Sequence, residues 1–104
     1  MVIQQQTRNS TFAVSSTSTQ ICEQASADNP RTQLIITPTT AGVTVTIAKG
    51  NVAAVSLSGT VLLQNQPFVE ATDGGYTCWQ GPVQAVATGP GAVAITESFM
   101  VPLK

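Results

Sequence analysis

The groups able to do chemistry in this 104-residue chain are few. With no His present, a Ser or Cys nucleophile lacks its usual base. Cys22 and Cys78 lie far apart in the chain, at no metal-ligand spacing, and two soft ligands without His are too few for zinc. They either pair across two strands or stay as buried thiols, and a chain with no export signal favours the thiols. The acids are Glu23, Asp28, Glu70, Asp73 and Glu97. A glycosidase needs two of them facing each other, and nothing in their spacing brings two together. All fall in or beside expected turns and strand ends, where solvated carboxylates are the expectation. Glu70 to Asp73 is a short acidic stretch beside the several oxygens that calcium takes. Asp73-Gly74-Gly75 and Gly89-Pro90-Gly91 lead into no helix and so do not read as phosphate-cradling loops. Asn9-Ser10-Thr11 is a glycosylation acceptor only in a secretory setting. A non-enzymatic chain is expected, with no catalytic residue, no cofactor and no metal.

Composition narrows the partners. Charged residues make up 9% of the chain, against about 25% in an average soluble domain. Fifteen Thr, eight Ser and ten Gln supply an uncharged polar surface instead. The basic residues Arg8, Arg31, Lys49 and Lys104 are too scattered to form a nucleic-acid footprint. No apolar run reaches the roughly 18 residues of a membrane-spanning helix. The start, Met1-Val2-Ile3-Gln4-Gln5-Gln6, has no basic region followed by an apolar one, so assembly inside a cell is expected.

Apolar residues recur with period two, the strand signal. Val43, Val45 and Ile47 fall on one face and Thr44 and Thr46 on the other; Phe12 and Val14, Val83 with Ala85 and Ala87, and Val93 with Ile95 alternate likewise. Gln33 to Thr37 and Thr60 to Gln64 are continuous apolar runs, expected of strands covered on both faces. Ile21 to Ala27 fits one helical turn, or a strand through Thr19, Ile21 and Glu23. Turn clusters at Asp28 to Arg31, Pro38 to Gly42, Lys49 to Asn51, Asn65 to Pro67, Thr72 to Gly75, Gly81-Pro82 and Gly89 to Gly91 separate the segments. The expectation is an all-β chain: a single small β-sandwich, jelly-roll or immunoglobulin-like in topology, with extended terminal segments. It divides into an N-terminal arm (1–10), a β-sandwich domain (11–97) and a C-terminal tail (98–104).

Without a catalytic centre, the candidate sites are surfaces. Gln4, Gln5, Gln6 and Arg8 in the arm, with Phe99, Met100, Val101 and Leu103 in the tail, are expected to contact a neighbouring subunit or the larger assembly that the chain binds, the plain alternative being ends that fray. An extended segment adds hydrogen bonds to an exposed sheet edge, and the apolar tail is costly to leave in water. Tyr76 and Trp79 are a second candidate: either a stacking platform for a sugar, or, for Trp79, a plug at one end of the sandwich. A sandwich with so few Lys to blunt its edges is expected to cover them by self-association, a trimer being favoured.

Asn29-Pro30-Arg31-Thr32-Gln33-Leu34-Ile35-Ile36 resembles the turn and first long core strand of small all-β virion proteins of tailed bacteriophages. Val43 to Ile47, the Gly-bearing loop Lys49 to Ala54, Gly59 to Leu63, Pro67 to Glu70, and the pair Trp79 to Ala87 and Val93 to Glu97 are similar to the segments that follow in that family. The likeness runs from about residue 20 to 97. Asn65-Gln66-Pro67 stands where the family commonly has Pro-Gly, and the tail beyond Glu97 is longer, which leaves the position on the particle open. The resemblance implies a virion structural protein, a capsid decoration (cement) protein on the outer shell surface. It would be made in the host cytoplasm, with the major capsid protein as partner. The alternatives are a receptor- or carbohydrate-binding β-domain and a low-copy tail, neck or head-fibre component.

Overall fold

The computed structural model describes residues 3–102, with the side chains of residues 4–101. Eight strands follow in chain order: β1 (Ile3–Val14), β2 (Thr19–Cys22), β3 (Arg31–Pro38), β4 (Val45–Lys49), β5 (Thr60–Leu62), β6 (Phe68–Ala71), β7 (Val83–Ala87) and β8 (Gly91–Pro102). There is no helix among the described residues; the Ile21 region is strand, then loop. The strands form two four-stranded antiparallel sheets, ordered β1-β8-β3-β6 and β2-β7-β4-β5. First pairs with last and second with next to last, inward to β4 with β5, as if one long hairpin had been rolled up. That is a jelly roll, which settles the choice between the two expected topologies.

Period-two patterning sets the core. Leu34 and Ile36 of β3, Val45 and Ile47 of β4, Val83, Ala85 and Ala87 of β7, and Val93 and Ile95 of β8 all point between the sheets and are buried. Thr46, on the face expected to be polar, is also buried. The β4–β5 loop folds over the outer face of the second sheet, where the Leu57 N–H donates to Thr46 Oγ1 at 2.9 Å. The continuous runs behave differently from expectation. β3 is central in its sheet but its outer residue Ile35 is only partly covered, and β5 is a three-residue edge followed by an exposed Leu63.

No break falls at the expected segment boundaries. β1 runs through position 10 and β8 through position 97, and the two pair without irregularity from Ile3 opposite Pro102 to Val14 opposite Gly91. The polar start resembles an arm because, on an edge strand, its side chains from Gln4 to Asn9 are exposed on both faces. Twelve extended residues span roughly 40 Å, consistent with overall dimensions of 46 × 23 × 22 Å.

Leu34→Ala removes a side chain with no solvent exposure and is expected to cost about 2–5 kcal/mol in urea unfolding. Val69→Ala, exposed on the outer face of the same sheet, should stay within about 0.5 kcal/mol of the parent.

Candidate functional site

The two terminal segments that the sequence singles out separately form one piece of structure. Gln4 lies opposite Val101, Gln5 opposite Met100, Gln6 opposite Phe99 and Arg8 opposite Glu97. Leu103 lies outside the described residues. β1 ends its sheet, so its far side faces no strand. On the outer surface hydroxyl and amide groups link the strands: Thr7 Oγ1 and Ser98 Oγ are 3.0 Å apart, and Thr96 Oγ1 donates to Asn9 Oδ1 at 2.7 Å. On the inner surface, a cleft of about 260 Å³ is bounded by Gln6, Arg8, Phe99 and Val101 with the β2–β3 loop from Glu23 to Ser26. A second, of about 220 Å³, opens between β1 and β2 beside Ser10, Phe12, Ile21 and Cys22. Arg8 and Glu97 border both.

Beneath these clefts lies a buried ion pair. A bulge at Thr32 shifts the β3–β8 register between Arg31 and Gln33, which turns Arg31 to the inner face opposite Phe99. There Arg31, 1% exposed, donates from Nε to Glu97 Oε2 at 3.0 Å. Its Nη1 donates to the carbonyls of Trp79 and Gly81 at 2.7 and 3.1 Å, and Nη2 to that of Glu23 at 2.6 Å. Arg8 Nη2 reaches the other Glu97 oxygen at 2.9 Å. A charge out of water is stable only when paired and fully hydrogen-bonded, and the planar guanidinium fork meets these acceptors as an ammonium would not. The Gln80 amide completes the junction by accepting from the Arg31 N–H at 2.7 Å and donating to the Arg31 carbonyl at 2.6 Å.

A second carboxylate sits in the same row. Leu34 is flanked by Glu97 on β8 and Glu70 on β6. Glu70 accepts from the Tyr76 hydroxyl at 2.6 Å, from the Trp79 N–H at 3.0 Å and from Lys49 Nζ. Burial works against its charge most strongly, yet these bonds together outweigh burial and hold the carboxyl below its usual range. Lys49 also lies over the Phe68 and Trp79 rings, 5.7 and 5.8 Å from their centroids. Glu70 and Glu97 are thus not solvated, contrary to expectation. Both occupy inner-face positions where cations from the end of the roll reach them, and each of their oxygens is already engaged.

Tyr76 and Trp79 converge on Glu70 rather than on open solvent. The indole packs partly buried against the core, its Nε1 donates to the Pro82 carbonyl at 3.0 Å, and its ring lies on Gly81. A Cβ at Gly81 would sit 2.6 Å from that ring, so glycine is required there. The Tyr76 ring, 50% exposed, is the more open of the two aromatics. Cys22 and Cys78 are free, buried thiols. Burial, and then the Glu97 charge, pushes Cys22 up to about 12; burial and Glu70 raise Cys78. Both therefore stay protonated and unreactive near neutral pH.

The residues that sequence reasoning missed are Arg31, Glu97, Gln80, Glu70 and Lys49. For the four charged ones the only signal is rarity, since five of the chain's nine charges sit in ion pairs; Gln80, one of ten Gln, carries no such signal. Glu97→Gln strands the Arg31 charge and should cost about 3–5 kcal/mol in chemical unfolding. Because Glu70 ionises more readily folded than unfolded, its stabilisation is complete above the ordinary carboxylate value of about 4.3 and fades as pH falls through its lower folded value. The stability gap between the parent and Glu70→Gln should therefore narrow below about pH 4 in a series of thermal melts.

No family model matches the chain, and no curated protein matches it in sequence. Among solved structures it is similar to a protein of Bacillus endospore appendages, described as a novel family of disulfide-linked pili. Identity is 16% and the TM-score 0.55, over 96% of this chain and 89% of that one. At that identity the likeness is one of fold, and it agrees with the small β-sandwich read from the strand order.

Proposed function

We propose that this chain is a non-enzymatic structural subunit of a bacteriophage virion, a capsid decoration (cement) protein bound to the outer face of the shell. The observation that carries the reading is the β1–β8 flank: a long, almost uncharged edge that unites Gln4, Gln5, Gln6 and Arg8 with Phe99, Met100 and Val101. Such an edge is suited to adding hydrogen bonds to another sheet. The two buried carboxylates, Glu70 and Glu97, are engaged in holding the roll together and both thiols are buried, which favours a structural role. The Asn29-Pro30-Arg31 turn, which carries the resemblance to phage virion proteins, leads into the buried pair at the end of the roll. Its partners are the major capsid protein and copies of itself. Each copy would bridge neighbouring shell subunits, so resistance to bursting grows with occupancy by mass action. A sparsely charged surface suits dense packing, since like charges in an array repel.

A second reading, a subunit of a self-assembled appendage, is favoured by the fold shared with the pilus-forming protein over nearly the whole chain. Copy number on purified particles separates the two. The expected result is stoichiometric occupancy relative to the major shell protein, with particles stripped of this chain bursting under milder stress. Absence from particles, together with filaments formed by the isolated chain, would replace the decoration reading with the appendage one.

A further inference from the structure

Four strands end the two sheets, and three of them are poor templates. β2 has four residues and a bulge, β5 has three residues and β6 has four. β1 has twelve, paired with β8 at every position. Edges are ordinarily kept from pairing by Lys, by Pro, by bulges or by a covering element. From Gln4 to Val14, β1 has no Lys, Pro or bulge. Its one charge, Arg8, is turned inward onto Glu97, with the Phe99 ring centroid 5.3 Å away. Alternate backbone groups along the strand therefore point away from β8, available to another strand.

We infer that β1 pairs with β1 of a second copy, antiparallel, about a two-fold axis through Asn9, making one continuous eight-stranded sheet. The occupant follows from length and charge. A cyclic trimer needs head-to-tail contacts, so β1 would have to match a different edge; each of the others has at most four residues. Only a second β1 covers the whole strand. The register follows from the pleat, because residues set opposite each other must share a face. Two such registers overlap almost completely, centred on Arg8 or on Asn9. The first sets Arg8 against Arg8 of the second copy, and like charges directly opposed are destabilising. The second sets Arg8 against Ser10, Thr7 against Thr11 and Phe12 against Gln6. It also gives Phe12 a place. This inward-facing ring is 41% exposed in the single chain, and opposite Gln6 it meets the mouth of the cleft lined by Phe99 and Val101 of the second copy.

The pairing is tested on the full chain by sedimentation and by oxidative cross-linking of single-cysteine additions, the native thiols being buried. The parent should be dimeric at micromolar concentration. Asn9→Cys should cross-link to itself, since directly opposed residues lie within about 4.5–5.5 Å at Cβ. Thr7→Cys alone should not, its counterpart being roughly 13 Å away along the strand. A mixture of Thr7→Cys and Thr11→Cys should cross-link one to the other. The double variant Thr7→Lys with Thr11→Lys should weaken the dimer about tenfold or more while keeping the circular dichroism of the folded sheet, and Thr7→Glu with Thr11→Lys should restore it. A monomeric parent at high micromolar concentration would overturn the pairing, even if that monomer occupied shells, in which case the decoration reading would stand alone. Self-cross-linking of Thr7→Cys as fast as that of Asn9→Cys would overturn the register.

Discussion

A guanidinium sealed from water is what closes one end of this roll. Arg31 belongs to β3 of the first sheet, and its donors reach Glu97 on β8, the β2–β3 loop at Glu23, and the carbonyls of Trp79 and Gly81 that lead into β7 of the second sheet. Three separated stretches of chain are thereby fixed to one planar group carried by β3. Neither partner is stable alone at that depth, so the arrangement forms as a unit or not at all. The bulge at Thr32 is the backbone adjustment that makes it possible. Gln80 then stands in for the strand neighbour that Arg31 lacks on that side.

The rest of the end of the roll is arranged around this pair. Trp79 supplies a carbonyl to Arg31, an N–H to Glu70 and a ring to Lys49, so the same residue touches both ion pairs. With its few charges concentrated there, the remaining surface is largely Thr, Ser, Gln and Ala. On the outer face of the first sheet, hydroxyl-to-hydroxyl and hydroxyl-to-amide bonds between Thr7, Ser98, Asn9 and Thr96 tie the strands without any charge.

The interior strands were legible because they obey a period of two: Val45 and Ile47, Val83 and Ala85, Val93 and Ile95 could be placed on an inward face from spacing alone. β1 was not. A strand whose polar side chains meet solvent on both faces carries no alternation from Gln4 to Asn9, and only its pairing with β8 reveals it. The row of Glu97, Leu34 and Glu70 was hidden for a related reason, since three strands distant in sequence have to come into register before the acids share a face. Arg31 looked like an ordinary turn residue because a bulge shifts facing by one position, and no local residue pattern announces it. Thr46 has the spacing of the polar face yet is buried, because a loop, not a strand, covers it.

Rolling a single hairpin brings its two open ends together. Ile3 stands opposite Pro102, so the first and last described residues lie side by side at one tip of the long axis. The fold is in that sense nearly circular, with its gap at the tip and its tight turns elsewhere. A short linker across the gap, with a new opening in the exposed turn at Asp73 to Gly75, would interrupt no strand, the condition under which circular permutation is tolerated. Chain leaving Ile3 and chain leaving Pro102 therefore start from the same pole, alongside the β1 edge.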